Sequence, residues 1–128
     1  MNKQETAVAL KHGGMNCAQA VLLAFQEESG LDAETLKKLG APFGVGMGGF
    51  DATCGSLLAA GLLLGLRNYE GKPILRDARA LADAFRAQCG ATRCADLKGI
   101  ATGQVLTPCD DCVRCAAALA EKLFEIPS

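Results

Sequence analysis

The chain has 128 residues, 13 of them basic and 14 acidic, for a net charge of −1. Charges of both signs are interspersed, so no basic stripe points to nucleic acid and no basic amphipathic helix points to a membrane surface. The length suits a single domain over residues 1–128 that buries roughly two-thirds of its unfolded surface, so its seven cysteines are not needed to staple a small core.

Met1-Asn2-Lys3-Gln4-Glu5-Thr6 is polar and leads into only a brief apolar stretch, unlike a secretory signal. The expected location is therefore cytoplasmic. Leu57 to Leu66 is the most apolar run, yet it is about half the length needed to cross a bilayer and contains Gly61 and Gly65, so no membrane insertion is expected. In a reducing compartment, clustered cysteines point to metal ligation or redox work rather than to structural disulfides.

Valine and isoleucine are scarce, while alanine and leucine recur at spacings of three and four. This pattern predicts an all-α fold, a compact bundle of about five to six helices with no strand. Gln4 to Lys11 forms a short helix on Ala7, Val8 and Leu10, ended by His12-Gly13-Gly14. Cys17 to Glu28 places Ala18, Val21, Leu22 and Phe25 on one face and stops at Ser29-Gly30. Asp32 caps Ala33 to Leu39, with Leu36 and Leu39 inward, and Gly40-Ala41-Pro42 breaks that helix. A glycine-rich loop follows and runs into Cys54 to Leu66, which is apolar nearly all round and so predicted to be the central helix, with Gly55, Ala59, Ala60 and Gly65 letting neighbours approach. Pro73 opens an amphipathic helix to Cys89 with Leu75, Ala78, Leu81, Ala82 and Phe85 as its stripe. Thr92 to Lys98 suits one or two turns, Gly99 to Leu106 reads as a loop, and Asp110 to Glu125 closes the bundle on Val113, Ala116, Ala120, Leu123 and Phe124.

The chain is organised around Phe43-Gly44-Val45-Gly46-Met47-Gly48-Gly49-Phe50 and the Thr53-Cys54-Gly55-Ser56 segment after it. Thr53 is a good N-cap, which would put Cys54 at the first helical position, where the positive end of the helix dipole favours a thiolate. The pattern recurs. Asn16 precedes Cys17, Thr92 stands two before Cys94, and Thr107-Pro108 leads into Cys109, so four cysteines are expected in the first turns of four helices. Cys89, Cys112 and Cys115 fall inside or at the ends of helices.

Other chemistries fit less well. The glycines lack both the preceding strand of a dinucleotide fingerprint and the Gly-Lys-Ser/Thr end of a phosphate loop, and are better explained by a backbone that can wrap closely round a sulfur centre. Cys109-x-x-Cys112-x-x-Cys115 is spaced like the start of a ferredoxin run, but on a helix its members point about 60° apart at each step, so one of them or an adjacent pair would ligate. Cys109 is the expected ligand, with Cys112 in reserve. Cys115 reads as a packing residue, and Cys89-x4-Cys94 is a weaker pair that makes Cys89 a further reserve. His12 is the only histidine and reads as a helix-end side chain. No serine triad, acid pair or lysine nucleophile stands out, which argues against a hydrolase; an enzyme would have only Asp51, Arg93, Asp96 and His12 to draw on beside the thiols.

With Asn16-Cys17-Ala18-Gln19-Ala20-Val21, the glycine loop, Cys54-Gly55 and two later cysteines in place, nearly the whole chain resembles a family of small proteins, described as redox-active, known for a Cys, Cys-Gly-Ala-x-x-Gly, Cys, Cys signature. The resemblance implies that the signature cysteines are Cys17, Cys54, Cys94 and Cys109. Two positions depart from it, Ser56 in place of alanine and Ala59 in place of glycine, and both are small changes expected to affect packing. Relatives encoded near transporters, and similar domains joined to haem domains, imply electron transfer with a redox partner protein or a transporter-associated system; a homodimer is compatible with that role.

Four helix N-termini meeting at one point would stabilise an anion, which favours an iron–sulfur centre of the [2Fe–2S] type on Cys17, Cys54, Cys94 and Cys109. The alternatives are a metal-free thiol/disulfide couple, and structural zinc or an interaction module with inert cysteines.

Overall fold

A computed structural model describes residues 2–126, and the described residues contain eight α-helices and no strand. In chain order these are α1 (Lys3–His12), α2 (Cys17–Ala24), α3 (Gln26–Ser29), α4 (Ala33–Gly40), α5 (Gly55–Asn68), α6 (Leu75–Cys89), α7 (Cys94–Lys98) and α8 (Cys109–Leu123). A 3₁₀ turn at Ala41–Phe43 and a π-type turn at Gly46–Phe50 carry the glycine loop. The all-α class agrees with the sequence pattern, with more pieces than expected. One extra piece arises at Phe25, where the amide turns back to Leu22 O at 3.1 Å and splits the helix predicted over Cys17 to Glu28 into α2 and α3.

The centre of the bundle is formed by α2, α5 and α8, with α1 packed across α2 and α8. Their contact faces are built from alanine: Ala18, Ala20, Ala59, Ala60, Ala116, Ala117 and Ala120 are all fully buried. Such short side chains let the helices approach closely, and Leu22, Phe25, Leu36, Leu63 and Phe85 fill the remaining space. Phe25 stacks on Phe124 with ring centroids 5.9 Å apart, and the Lys3 ammonium sits 5.4 Å from the Phe25 centroid.

Three expectations need correction. Leu39 is 41% exposed, because α4 presents only Leu36 to the core. In α6 the stripe begins at Leu81 rather than Leu75, since Leu75 and Ala78 stand out in solvent before the helix reaches α8. Gly65 faces open space, so it is Gly55, and not Gly65, where a close approach requires glycine.

Candidate functional site

Each end of the site is fixed by a local device. Asn16 Oδ1 accepts from the Gln19 amide at 2.8 Å while Gln19 Oε1 accepts from the Asn16 amide at 3.1 Å, a reciprocal capping box that starts α2 at Cys17. The same two side chains donate outward, Asn16 Nδ2 to Gly40 O at 3.1 Å and Gln19 Nε2 to Lys37 O at 2.9 Å, which locks the start of α2 onto the end of α4. Cys17 is thereby held at the first helical position.

Cys54 and Cys94 are placed as a pair. Thr53 and Arg93 form an isolated antiparallel bridge, in which the Cys54 amide donates to Thr92 O at 2.7 Å and the Cys94 amide donates to Ala52 O at 3.0 Å. The two cysteines immediately after the bridge then enter α5 and α7 side by side. This pairing also changes the caps: Cys54 itself is the N-cap of α5, one residue later than the Thr53 cap the sequence suggests, and Arg93 rather than Thr92 precedes α7.

Cys109 is the first residue of α8, with Pro108 in the cap position. Thr107 does not cap that helix; its hydroxyl donates to Cys89 O at 2.7 Å and so joins the start of α8 to the end of α6. On the other side, Asp110 pairs with Lys11 at 2.7 Å and with His12 at 2.7 Å, clamping the end of α1 against α8.

These devices converge on one cavity of about 160 Å³, walled by Cys17, Cys54, Cys94, Cys109 and Cys112 together with Lys11, Lys98, Gly46 and Gly55. All four first-turn cysteines line it, and so does the reserve Cys112; Cys89 and Cys115 lie elsewhere, on a groove that holds none of the cavity cysteines. Asp51, Arg93, Asp96 and His12 are not in the cavity wall. Arg93 instead bridges Asp51 and Asp96 at 3.4 and 3.3 Å on the surface.

The glycine loop fits closely round the sulfurs. A Cβ on Gly55 would stand 2.8 Å from Cys17 Sγ, and one on Gly46 would stand 2.7 Å from Cys94 Cβ, so neither position has room for a side chain. Gly46 also holds a φ of 57°, in the left-handed region that glycine enters without steric cost. Val45, Met47 and Phe50 adopt positive φ too, at 55°, 56° and 68°, so the loop carries strain beyond what its glycines relieve.

The thiols polarise one another. The Cys54 sulfur accepts from the thiols of Cys112 and Cys17, and with further help from Ser56 and the Leu57 amide its pKa falls far below the usual thiol range despite burial. Cys17 is pushed up first by the neighbouring Cys109 sulfur and then by that of Cys54, and Cys112 first by that of Cys54. Cys109 is lowered to about 6, first by the Cys17 thiol and then by the Lys98 and Lys11 ammonium groups against the cost of burial. Cys94 is raised by burial, opposed by Lys98. The shifts favour the thiolate on Cys54 and Cys109 and the thiol on Cys17 and Cys112, and Cys109 is the one cavity cysteine that is not buried.

Sequence reasoning did not place three contributors in the site. Lys11 and Lys98 reach the cavity from α1 and α7, and only the tertiary arrangement reveals that. Ser56 is fully buried, its Oγ is 2.9 Å from Cys54 Sγ, and its hydroxyl also lies 3.3 Å from Cys112 O. The serine therefore touches the centre, where the sequence comparison had suggested an effect on packing.

Among the described residues, no three cysteine, histidine or carboxylate side chains are gathered to enclose a single metal ion. A family model described as "Putative redox-active protein (C_GCAxxG_C_C)" matches residues 15–126, which span every one of the cavity cysteines. No curated protein and no solved structure matches the chain.

Proposed function

The chain belongs to that redox-active family, and on this premise we propose that it transfers electrons through a [2Fe–2S] centre held by Cys17, Cys54, Cys94 and Cys109. The observation that carries the reading is that these four cysteines, each from the start of a different helix, line one cavity with two lysines in its wall. A thiolate-bound cluster is an anion, and helix N-termini and ammonium groups are what stabilise an anion at low exposure.

The donor set fits a binuclear group better than a single ion. Each iron of a [2Fe–2S] cluster takes two protein sulfurs, so four cysteines from four helix starts suffice for it, whereas zinc wants four ligands about one point. When bound, such a cluster supplies one-electron chemistry. The four cysteines would hold it, Gly46 and Gly55 would let the backbone pass close to the sulfurs, and Lys11 and Lys98 in the cavity wall would balance its charge. The partner in this reading is a protein that donates or accepts single electrons. Anaerobically purified or reconstituted protein should contain iron and acid-labile sulfide in equal amounts and show a visible charge-transfer spectrum that dithionite bleaches. Protein that takes up neither iron nor sulfide under those conditions would overturn the assignment.

The mutual contacts among thiols favour a second reading, a metal-free dithiol couple. The Cys109 thiol is lowered to about 6, first by Cys17 and then by Lys98 and Lys11 against burial, and it is the least buried of the set. Attack by Cys109 on a disulfide R–S–S–R′ would form a mixed disulfide and release R′S⁻; attack by Cys17 on Cys109 would then release RS⁻ and leave a Cys17–Cys109 bridge. Mass spectrometry of metal-free protein after mild oxidation tests this directly, with free Cys17 and Cys109 as the refuting result.

A further inference from the structure

Cys89, Cys112 and Cys115 are extra to the four-cysteine signature, yet they are not scattered. Cys112 and Cys115 are three residues apart on α8 and so share a face, and Cys89, the last residue of α6, is directed at that face. The Cys89 and Cys115 thiols each perturb the other's ionisation, and Cys112 also acts on Cys89. The Thr107 hydroxyl holds Cys89 O at 2.7 Å, which keeps the end of α6 against the start of α8. Cys89 and Cys115 also border a groove of about 330 Å³ with polar walls from Gln4, Gln88, Asp111 and Arg114, which shares Thr107 with the four-cysteine cavity but none of its cysteines.

We infer that Cys89 and Cys115 form a second, reversible dithiol/disulfide couple, reached through this groove by a low-molecular-weight disulfide and separate from the centre formed by Cys17, Cys54, Cys94 and Cys109. Oxidation proceeds in two exchange steps. One thiol, deprotonated, attacks a small disulfide RSSR to give a protein mixed disulfide and RS⁻; the second attacks the protein sulfur of that bond, releasing another RS⁻ and closing the Cys89–Cys115 bridge. Two electrons pass from the pair of protein thiols to RSSR, and the two protons lost by the thiols go to the released RSH.

The polar groove suits such an oxidant. Gln88 offers a side-chain amide to the polar end of a glutathione-class peptide, whereas Arg114 is already paired with Glu5 and Asp111 and Gln4 donates to Glu121; the two sulfurs are buried enough that a large protein disulfide could not reach them. Cys112 can replace either member, because it also acts on Cys89 and shares a helix face with Cys115. The couple thus has a built-in alternative partner. Closing the bridge would link α6 to α8 covalently, at the point where the Thr107 hydrogen bond already joins them.

The test uses the reduced full-length protein, incubated with oxidised glutathione at mildly alkaline pH, quenched with acid, alkylated and mapped by mass spectrometry. The expected product is a Cys89–Cys115 cross-linked peptide, lighter than the two reduced peptides by two hydrogens, formed without denaturant. Cys115→Ala should lose that peptide and yield a Cys89–Cys112 bridge or a glutathione adduct on Cys89, with helix content unchanged by circular dichroism. A Cys17→Ser/Cys54→Ser double variant should still form the Cys89–Cys115 bridge, which makes the couple's success or failure independent of the redox centre. Recovery of Cys89 and Cys115 as alkylated free thiols in wild type, or their bridging only in denaturant, would overturn the inference.

Discussion

Removing the Cys17 thiol tests whether the sulfurs of the cavity act on one another. In metal-free protein, Cys109 is lowered to about 6 chiefly by the Cys17 thiol, so Cys17→Ala should move the Cys109 pKa upward toward the ordinary thiol value near 8.5. Full return is the upper bound, because Lys98 and Lys11 remain beside it. At pH 7 the thiolate fraction would then fall from roughly 0.9 to roughly 0.03, about a 30-fold drop. The rate of reaction with a disulfide reagent falls much less: intrinsic nucleophilicity rises with pKa at a Brønsted slope of about 0.4–0.5, which returns roughly tenfold and leaves a net slowing of only about two- to threefold. The decisive readout is therefore the midpoint of the rate–pH profile. That profile is followed at Cys109 by peptide mapping after timed reaction with an aromatic disulfide, with circular dichroism to confirm that the variant folds. A midpoint that stays at about 6 in Cys17→Ala would refute the coupling and assign the lowered value to the lysines alone.

Two further substitutions probe the walls of the cavity. Gly55→Ala would push a methyl to 2.8 Å from Cys17 Sγ and should cost about 1–3 kcal/mol in thermal or denaturant unfolding, together with loss of bound iron; a wild-type melting curve would show that the loop yields freely. Ser56→Ala removes the hydroxyl 2.9 Å from Cys54 Sγ and should change stability by no more than about 1 kcal/mol, while raising the Cys54 pKa and moving the reduction potential of the loaded centre negative. If ultraviolet thiolate titration and potential both match wild type, the hydroxyl acts only in packing.

What the sequence disclosed, and what it did not, follows from the range of the interactions. Cys17, Cys94 and Cys109 could be placed at helix starts because capping and proline signals act within a few residues, and the structure puts each at the first helical position. The Thr53 cap failed for a long-range reason: the backbone around Thr53 is recruited by Arg93, forty residues on, so α5 cannot begin until Cys54. The stripe of α6 was drawn too long because periodicity marks a face without showing where the neighbouring helix begins, and Leu75 lies beyond that point. Lys11 and Lys98 carry no local signal at all, and Ser56 stands out in the sequence only as a departure from the family signature. Their roles exist only once α1, α7 and α8 close round the cavity. The capping box of Asn16 and Gln19 is the opposite case, an i to i+3 pattern of local chemistry whose second use, tying α2 to α4, is purely tertiary.

Five sulfurs line a cavity that asks for four, so the fourth ligand must be chosen between Cys94 and Cys112. Cys112 is already engaged: its thiol donates to Cys54, reaches toward Thr107 O at 3.9 Å, and is held protonated by the neighbouring Cys54 thiolate. It also sits one turn into α8, behind Cys109, whereas Cys94 opens a helix of its own as Cys17 and Cys109 do. Cys94 forms no hydrogen bond with another thiol; burial raises its pKa, the Cys54 and Cys109 sulfurs add to the rise, Lys98 opposes it, and metal coordination itself removes a thiol proton. Its backbone is also fixed, through the amide bond to Ala52 O at 3.0 Å and the close contact with Gly46. Cys94→Ser should therefore lose most of its iron and visible absorption on anaerobic reconstitution, because a serine hydroxyl stays protonated and is a poor partner for a soft metal site. Cys112→Ser should retain both, with a shifted potential as Cys54 exchanges a thiol donor for a hydroxyl. Iron content per chain, measured on both variants after their helix content is confirmed, decides the matter: a full complement in Cys94→Ser with loss in Cys112→Ser would move the fourth ligand to α8 and refute the choice of Cys94.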